Sequence, residues 1–302
     1  MDDFRIPIGE WVERGVEWIQ DNLTGVLDGI ADVLTFVIDA FEDALQAVPP
    51  LVLAAVIVAL ALWRVGWRFA LFAALSMVLL FGMQIWEETI STLALVIGSS
   101  VLALAIGIPI GIAMARSDKV EMTVRPVLDF MQTMPPFVYL IPAAIFFGLG
   151  KVPGAIATLI FAMPPAVRLT NLGIRQVSEE NIEAGQAFGC TSRQLLFKVQ
   201  LPLAMPSIMA GVNQTIMLAL SMVVIASMIG AGGLGNTVLT GIQRLDVGLG
   251  FEGGLGVVLL AILLDRITQS FGQSARRSAR AGPFAMLGRL RQALLARKGE
   301  FT

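Results

Sequence analysis

The chain changes character at Pro49-Pro50. Before that pair, Ile19, Leu23, Val26, Ile30, Val33, Val37 and Phe41 recur at helical spacing, with Asp21, Asp28, Asp32, Asp39 and Asp43 mostly elsewhere on the wheel. The pattern predicts an acidic amphipathic helix that lies at a membrane surface or packs on a helical bundle. Its polar face is acidic, so it suits anionic lipid poorly. Trp11 and Trp18 leave open a separate interfacial helix at the start. Met1-Asp2-Asp3-Phe4 carries no basic stretch and precedes no early apolar run, which predicts no cleavable signal peptide.

After Pro50 the polar positions thin out into about seven apolar runs. They cover Leu51–Leu62, Trp67–Ile85, Ile90–Ala115, Leu128–Leu149, Pro153–Val167, Ile208–Ile229 and Leu255–Ile267. A hydrocarbon core of about 30 Å asks for roughly 20 apolar residues per helix, so the first run is short for a span. The fold class expected is all-α, a polytopic membrane protein of about seven transmembrane helices. Divided by pattern, residues 1–48 form the acidic segment, 49–86 accessory spans, 87–272 the core and 273–302 a basic tail.

Composition agrees with the pattern. Of 302 residues, 56% are hydrophobic and 15% charged, with a mean hydropathy of +0.78, far too apolar for a water-soluble domain of this size. Histidine is absent and Cys190 is the single cysteine, which excludes a histidine-based triad, a multi-cysteine zinc site and an intramolecular disulfide. No catalytic residue, metal or cofactor is expected in this chain, and nothing points to nucleic acid.

Charge sets the orientation. Arg64 and Arg68, then Arg116, Lys119 and Arg125, then Arg168, Arg175, Arg193 and Lys198 fall between alternate runs, and the tail adds Arg276, Arg277, Arg280, Arg289, Arg291, Arg297 and Lys298. With seven spans all four sets share one side, and basic flanks are retained in the cytoplasm. The N-terminus is therefore expected outside with Glu87 and Glu88, and the tail inside. Lys151 is the exception.

Two Met-Pro-Pro triplets interrupt apolar runs: Met134-Pro135-Pro136 and Met163-Pro164-Pro165. Unwound backbone at membrane depth survives where it is buried or lines a cavity, so Met134, Pro135, Pro136, Met163 and Pro164 are candidate pathway walls. Gly107-Ile108-Pro109-Ile110-Gly111 reads as a close-packing site. Gly230-Ala231-Gly232-Gly233-Leu234-Gly235 fits G-x-G-x-x-G, yet it follows an apolar helix outside any βαβ unit and is expected to be a tight outer loop. Gly148-Leu149-Gly150-Lys151 lacks the remaining features of a Walker A loop, so any ATP is bound by another chain. Asp129, Asp265 and Arg266 sit near run ends, where they can snorkel or pair. The scarcity of ionisable groups in mid-membrane argues against a proton-coupled carrier and against a channel lined by acidic rings.

One long polar stretch remains, Arg175 to Pro206, within a loop of about 171–206. Ser178 is placed to cap a helix whose first turn holds Glu179 and Glu180, and Gly189 to end it. Thr191 to Leu201 is amphipathic, with Arg193 and Lys198 beside Leu195, Leu196 and Phe197, and Pro202 is expected to break it. The stretch reads as a docking surface.

Glu183-Ala184-Gly185, Gly189, Val199, Leu201 and Pro202 resemble, in type and spacing, the EAA loop of permease subunits of binding-protein-dependent ABC importers. The usual loop has a second alanine where Gly185 stands and often isoleucine at Val199. Glycine costs about 1 kcal/mol against alanine inside a helix, which predicts a looser coupling helix. Asp129 to Pro135, Phe137 to Leu140, Leu196 to Pro206, Ile208 to Thr215 and Met217 to Ile229 resemble the glycine betaine/L-proline branch of that family, over roughly residues 50–272.

The resemblance implies an all-helical permease core at 87–272 working as a homodimer. Cytoplasmic ATPase subunits would carry ATP and Mg, and a periplasmic binding protein would deliver a quaternary ammonium osmolyte. Glu183, Ala184, Gly185, Gly189, Leu201 and Pro202 would couple to the ATPase, in a bacterial inner membrane. A quaternary ammonium ion donates no N–H hydrogen bond and favours aromatic faces, so Phe137, Tyr139, Phe146, Phe147 and Phe161 are candidate walls. The rival class is an ATP-independent, osmotically gated channel.

Overall fold

The apolar periodicity resolves into helices throughout the computed structural model, which describes residues 7–280; among these no strand occurs. Side chains of the expected tail lie outside the described residues. The acidic segment divides at Leu23 into α1 (Ile8–Asn22) and α2 (Thr24–Gln46). α3 (Pro50–Arg64) and α4 (Trp67–Gly82) follow, then α5 (Trp86–Arg116), α6 (Asp118–Thr133), α7 (Pro136–Phe147) and α8 (Lys151–Arg175). After the polar loop come α11 (Leu201–Ser227), α12 (Gly233–Arg244) and α13 (Val247–Arg280).

Among the described residues, four helices are long and apolar enough to cross a membrane: α5, α8, the run Ser192–Ser227 and Val247–Phe271. Two bent pairs qualify jointly, α2 with α3 at 98° and α6 with α7 at 99°, and α4 is a shorter apolar helix. The expected run Leu128–Leu149 is thus two helices at nearly a right angle. Pro135 and Pro136 supply no N–H to continue α6. The expected break at Met163-Pro164-Pro165 does not form: α8 continues as one helix through both buried prolines. The glycine turn at Gly230–Gly233 leads into α12, a helix the glycine-rich sequence concealed.

α8 lies at the centre, between α5 and α11. Close approach to α5 requires glycine, because a Cβ at position 111 would stand 2.6 Å from the Val167 carbonyl oxygen and 2.7 Å from Thr170 Cβ. Gly211 likewise lets α11 approach the carbonyl of Pro165. α11 and α13 share a polar clasp: Asn213 Nδ2 donates to Asp265 (2.9 Å), and Thr268 Oγ1 donates to Asn213 Oδ1 (2.8 Å). Thr92 Oγ1 accepts from the Leu234 amide at 2.8 Å, tying α12 to α5.

α2 packs on α5 through Leu34 and Ile38, with Ile38 against Gly98. The packed stripe is rotated from the expected one, since Val26 and Val33 remain exposed. Lys151 at the start of α8 forms an ion pair with Glu42 of α2, which gives that isolated cation a partner.

Candidate functional site

The polar loop folds into α9 (Glu179–Ala187), α10 (Ser192–Leu195) and a π-helical turn, Leu196–Gln200, that runs directly into α11. Ser178 occupies the N-cap position of α9, but its hydroxyl accepts from the Asn181 side chain instead of a helix amide. Gly189 has φ +76°, the left-handed conformation that ends a helix, and the Cys190 amide reaches back to the Gly185 carbonyl at 3.1 Å. Thr191 and Gln194 form a reciprocal capping box at α10, a signal present in the sequence as T-x-x-Q and missed there.

Pro202 does not end this segment. It sits in the first turn of α11, just after the wider π turn, where a missing N–H is tolerated. Leu201 lies beside a buried anchor of Ile174, Leu196, Ala204 and Ile208 that fixes the loop to the ends of α8 and α11. Glu183 and Ala184 are exposed and Gly185 is buried, facing Leu195 across the α9–α10 corner. A Cβ on residue 185 would meet Leu195 Cδ1 at 2.7 Å, so glycine permits this corner to close. Phe188 at the end of α9 is 87% exposed, an apolar side chain that the spacing did not single out, and Phe197 of the π turn is exposed as well, with the Arg193 guanidinium over its ring at 6.0 Å.

The aromatic candidates divide. Tyr139, Phe146 and Phe147 share a cavity of about 670 Å³, walled by α2, α5, α7 and α8 and almost wholly apolar. Phe146 and Phe147 stand edge to face at 6.2 Å. Met134 and Phe161 pack behind, in the cluster containing Tyr139. Phe137 is exposed on another face of α7, Met163 packs against Met114, Leu128 and Val167, and Pro164 is buried inside α8. Pro135 caps α7 and Pro136 is its first residue. The Tyr139 hydroxyl donates to the Met131 carbonyl, the acceptor that the nitrogen of Pro135 cannot satisfy.

Among the described residues no group of acidic, cysteine or histidine side chains is arranged to hold a metal ion. A family model described as "Binding-protein-dependent transport system inner membrane component" matches residues 107–277. The chain is 47% identical over 290 residues to the glycine betaine/proline betaine transport system permease protein ProW of Escherichia coli K12, covering 94% of this chain and 82% of that one. It is 49% identical to the glycine betaine/carnitine transport permease protein GbuB of Listeria monocytogenes, covering 90% and 97%. Among solved structures, an inward-facing form of the MetNI methionine ABC transporter matches with a TM-score of 0.57 at 20% identity, over 61% of this chain and 93% of that one. At that identity the likeness concerns the fold.

Proposed function

Because the chain belongs to the family of binding-protein-dependent transport system inner membrane components, we propose that it is the permease of an ATP-driven importer for glycine betaine, proline betaine or a related quaternary ammonium osmolyte. The observation that carries the coupling half of this reading is the exposed α9 corner. It presents Glu183, Ala184 and Phe188 on a loop packed onto the ends of α8 and α11 through Ile174, Leu196, Ala204 and Ile208. The substrate class rests on relatives named for glycine betaine.

In this reading the chain contributes no chemistry. ATP and Mg are held by a cytoplasmic ATPase whose closure displaces α9, a periplasmic binding protein loads the opposite face, and two copies of the chain enclose the passage. The basic end of the bundle faces the cytoplasm and the acidic α1–α2 segment faces outward. Each ligand shifts the inward–outward equilibrium by its differential affinity for the two states. The apolar cavity beside Tyr139, Phe146 and Phe147 suits a cation that binds ring faces.

Uptake of labelled glycine betaine into proteoliposomes holding this chain and its ATPase tests the proposal. The binding protein is outside, and ATP is inside or omitted. Uptake requiring both is the expected result. Flux without ATP would replace the importer by a channel.

A further inference from the structure

The last residue of α8, Arg175, lies four positions before α9 and makes more polar contacts than a helix end requires. Its Nη2 donates to the Met114 carbonyl at 2.9 Å and to Asp118 Oδ1 at 2.7 Å, and stands 2.9 Å from Glu121 Oε2. Its Nε donates to Asn171 Oδ1 at 3.0 Å, and Asn171 Nδ2 donates to Glu121 Oε1 at 3.1 Å. Both oxygens of Glu121 are therefore held from α8.

These contacts meet at the elbow between α5 and α6. Met114 is in the last turn of α5, where its carbonyl has the Ser117 amide at 3.4 Å as backbone donor and the dipole is negative; Asp118 and Glu121 open α6, where the dipole is positive. One guanidinium thus serves both helix ends. Asp118 is 82% exposed and adds little by itself, whereas the Glu121 side chain is 26% exposed and Met114 is buried. Two turns back along α8, Arg168 Nη2 pairs with Asp129 Oδ1 at 2.5 Å. α6 is therefore fastened to α8 near both of its ends. Beyond the second fastening α6 reaches the 99° bend into α7, the helix carrying Tyr139, Phe146 and Phe147.

The geometry points to Arg175 as a positioning residue that transmits displacement of α9 to the α5–α6 elbow, and through α6 to the wall of the cavity. This inference rests on the ATP-coupled reading above. A tie that served only stability would lower transport and hydrolysis together. A transmitting tie lowers transport for each ATP consumed.

The test uses the complete complex in proteoliposomes, with labelled glycine betaine and stimulation of ATP hydrolysis by loaded binding protein as paired readouts. Wild-type uptake that ignores ATP would overturn the ATP-coupled reading itself, and the inference with it. Given ATP-driven wild-type uptake, Arg175→Gln is expected to keep binding-protein-stimulated hydrolysis within about twofold while uptake per ATP falls about tenfold. Arg175→Lys, which retains the charge but not the fork of donors, should recover part of the loss. The double variant Asp118→Asn with Glu121→Gln leaves Arg175 in place and should reproduce the fall if Arg175→Gln does not assemble. Parallel loss of uptake and hydrolysis, or unchanged uptake per ATP, in whichever of these variants assembles would overturn the inference and leave the importer reading standing. Failure of both variants to assemble would also overturn it, by showing that the tie serves folding.

Discussion

Met134-Pro135-Pro136 and Met163-Pro164-Pro165 are the same triplet with opposite outcomes. At the first, the chain turns by 99° between α6 and α7; at the second, α8 continues without a break. The prolines remove the same donors in each place, so the difference lies in what surrounds them. α8 is enclosed by α5 and α11 through Gly107, Gly111 and Gly211, and leaving the helix there would strand backbone groups in an apolar interior. The α6–α7 joint packs mainly on one side, with Phe130, Phe137 and Ile141 exposed, and the Tyr139 hydroxyl occupies the vacated Met131 carbonyl. A proline therefore marks where a helix can bend, and packing decides whether it does.

The largest effect is expected from forcing the unbroken copy to behave like the bent one. Gly111→Leu should destabilise the protein by about 3 kcal/mol, because the new side chain meets backbone of α8 and not a flexible tip. Thermal unfolding in detergent would register this as a lowered midpoint. Tyr139→Phe attacks the bent copy by leaving the Met131 carbonyl without its donor, at about 1–2 kcal/mol. Spin-label distances between α6 and α7 should broaden, while those along α8 stay fixed. Pro164→Ala sharpens the contrast from the other side. It restores an amide facing the Ile160 carbonyl but leaves a small void, so a net change below about 1 kcal/mol is expected in the same unfolding assay.

Much of the architecture was legible in the chain. Long apolar runs give helices because the backbone must satisfy itself in hydrocarbon, and Gly107 and Gly111 announced a close helix contact, whose partner the structure shows to be α8. What periodicity could not reach was context. Two adjacent apolar stripes run along α2, and the pattern gave no reason to bury Leu34 and Ile38 in place of Val26 and Val33. The pairing of Lys151 with Glu42 spans more than a hundred positions, and no local signal encodes it. The same holds at the candidate site. Glu183, Gly185 and Gly189 were singled out by a resemblance in residue type and spacing, whereas the exposure of Phe188 and the ties of Arg175 depend on tertiary placement.

That contrast extends to function, since the account assigns driving force to the exposed α9 corner and passage to the aromatic wall of Tyr139, Phe146 and Phe147. Its central claim is that α9 receives the motion of an ATPase. The most direct measurement is glycine betaine uptake, alongside ATP hydrolysis, by the complete complex carrying Glu183→Arg. Because Glu183 is exposed, the substitution should leave the fold of this chain intact. The account predicts that uptake falls at least about tenfold while the assembled ATPase still hydrolyses ATP. Uptake at the wild-type rate would contradict it.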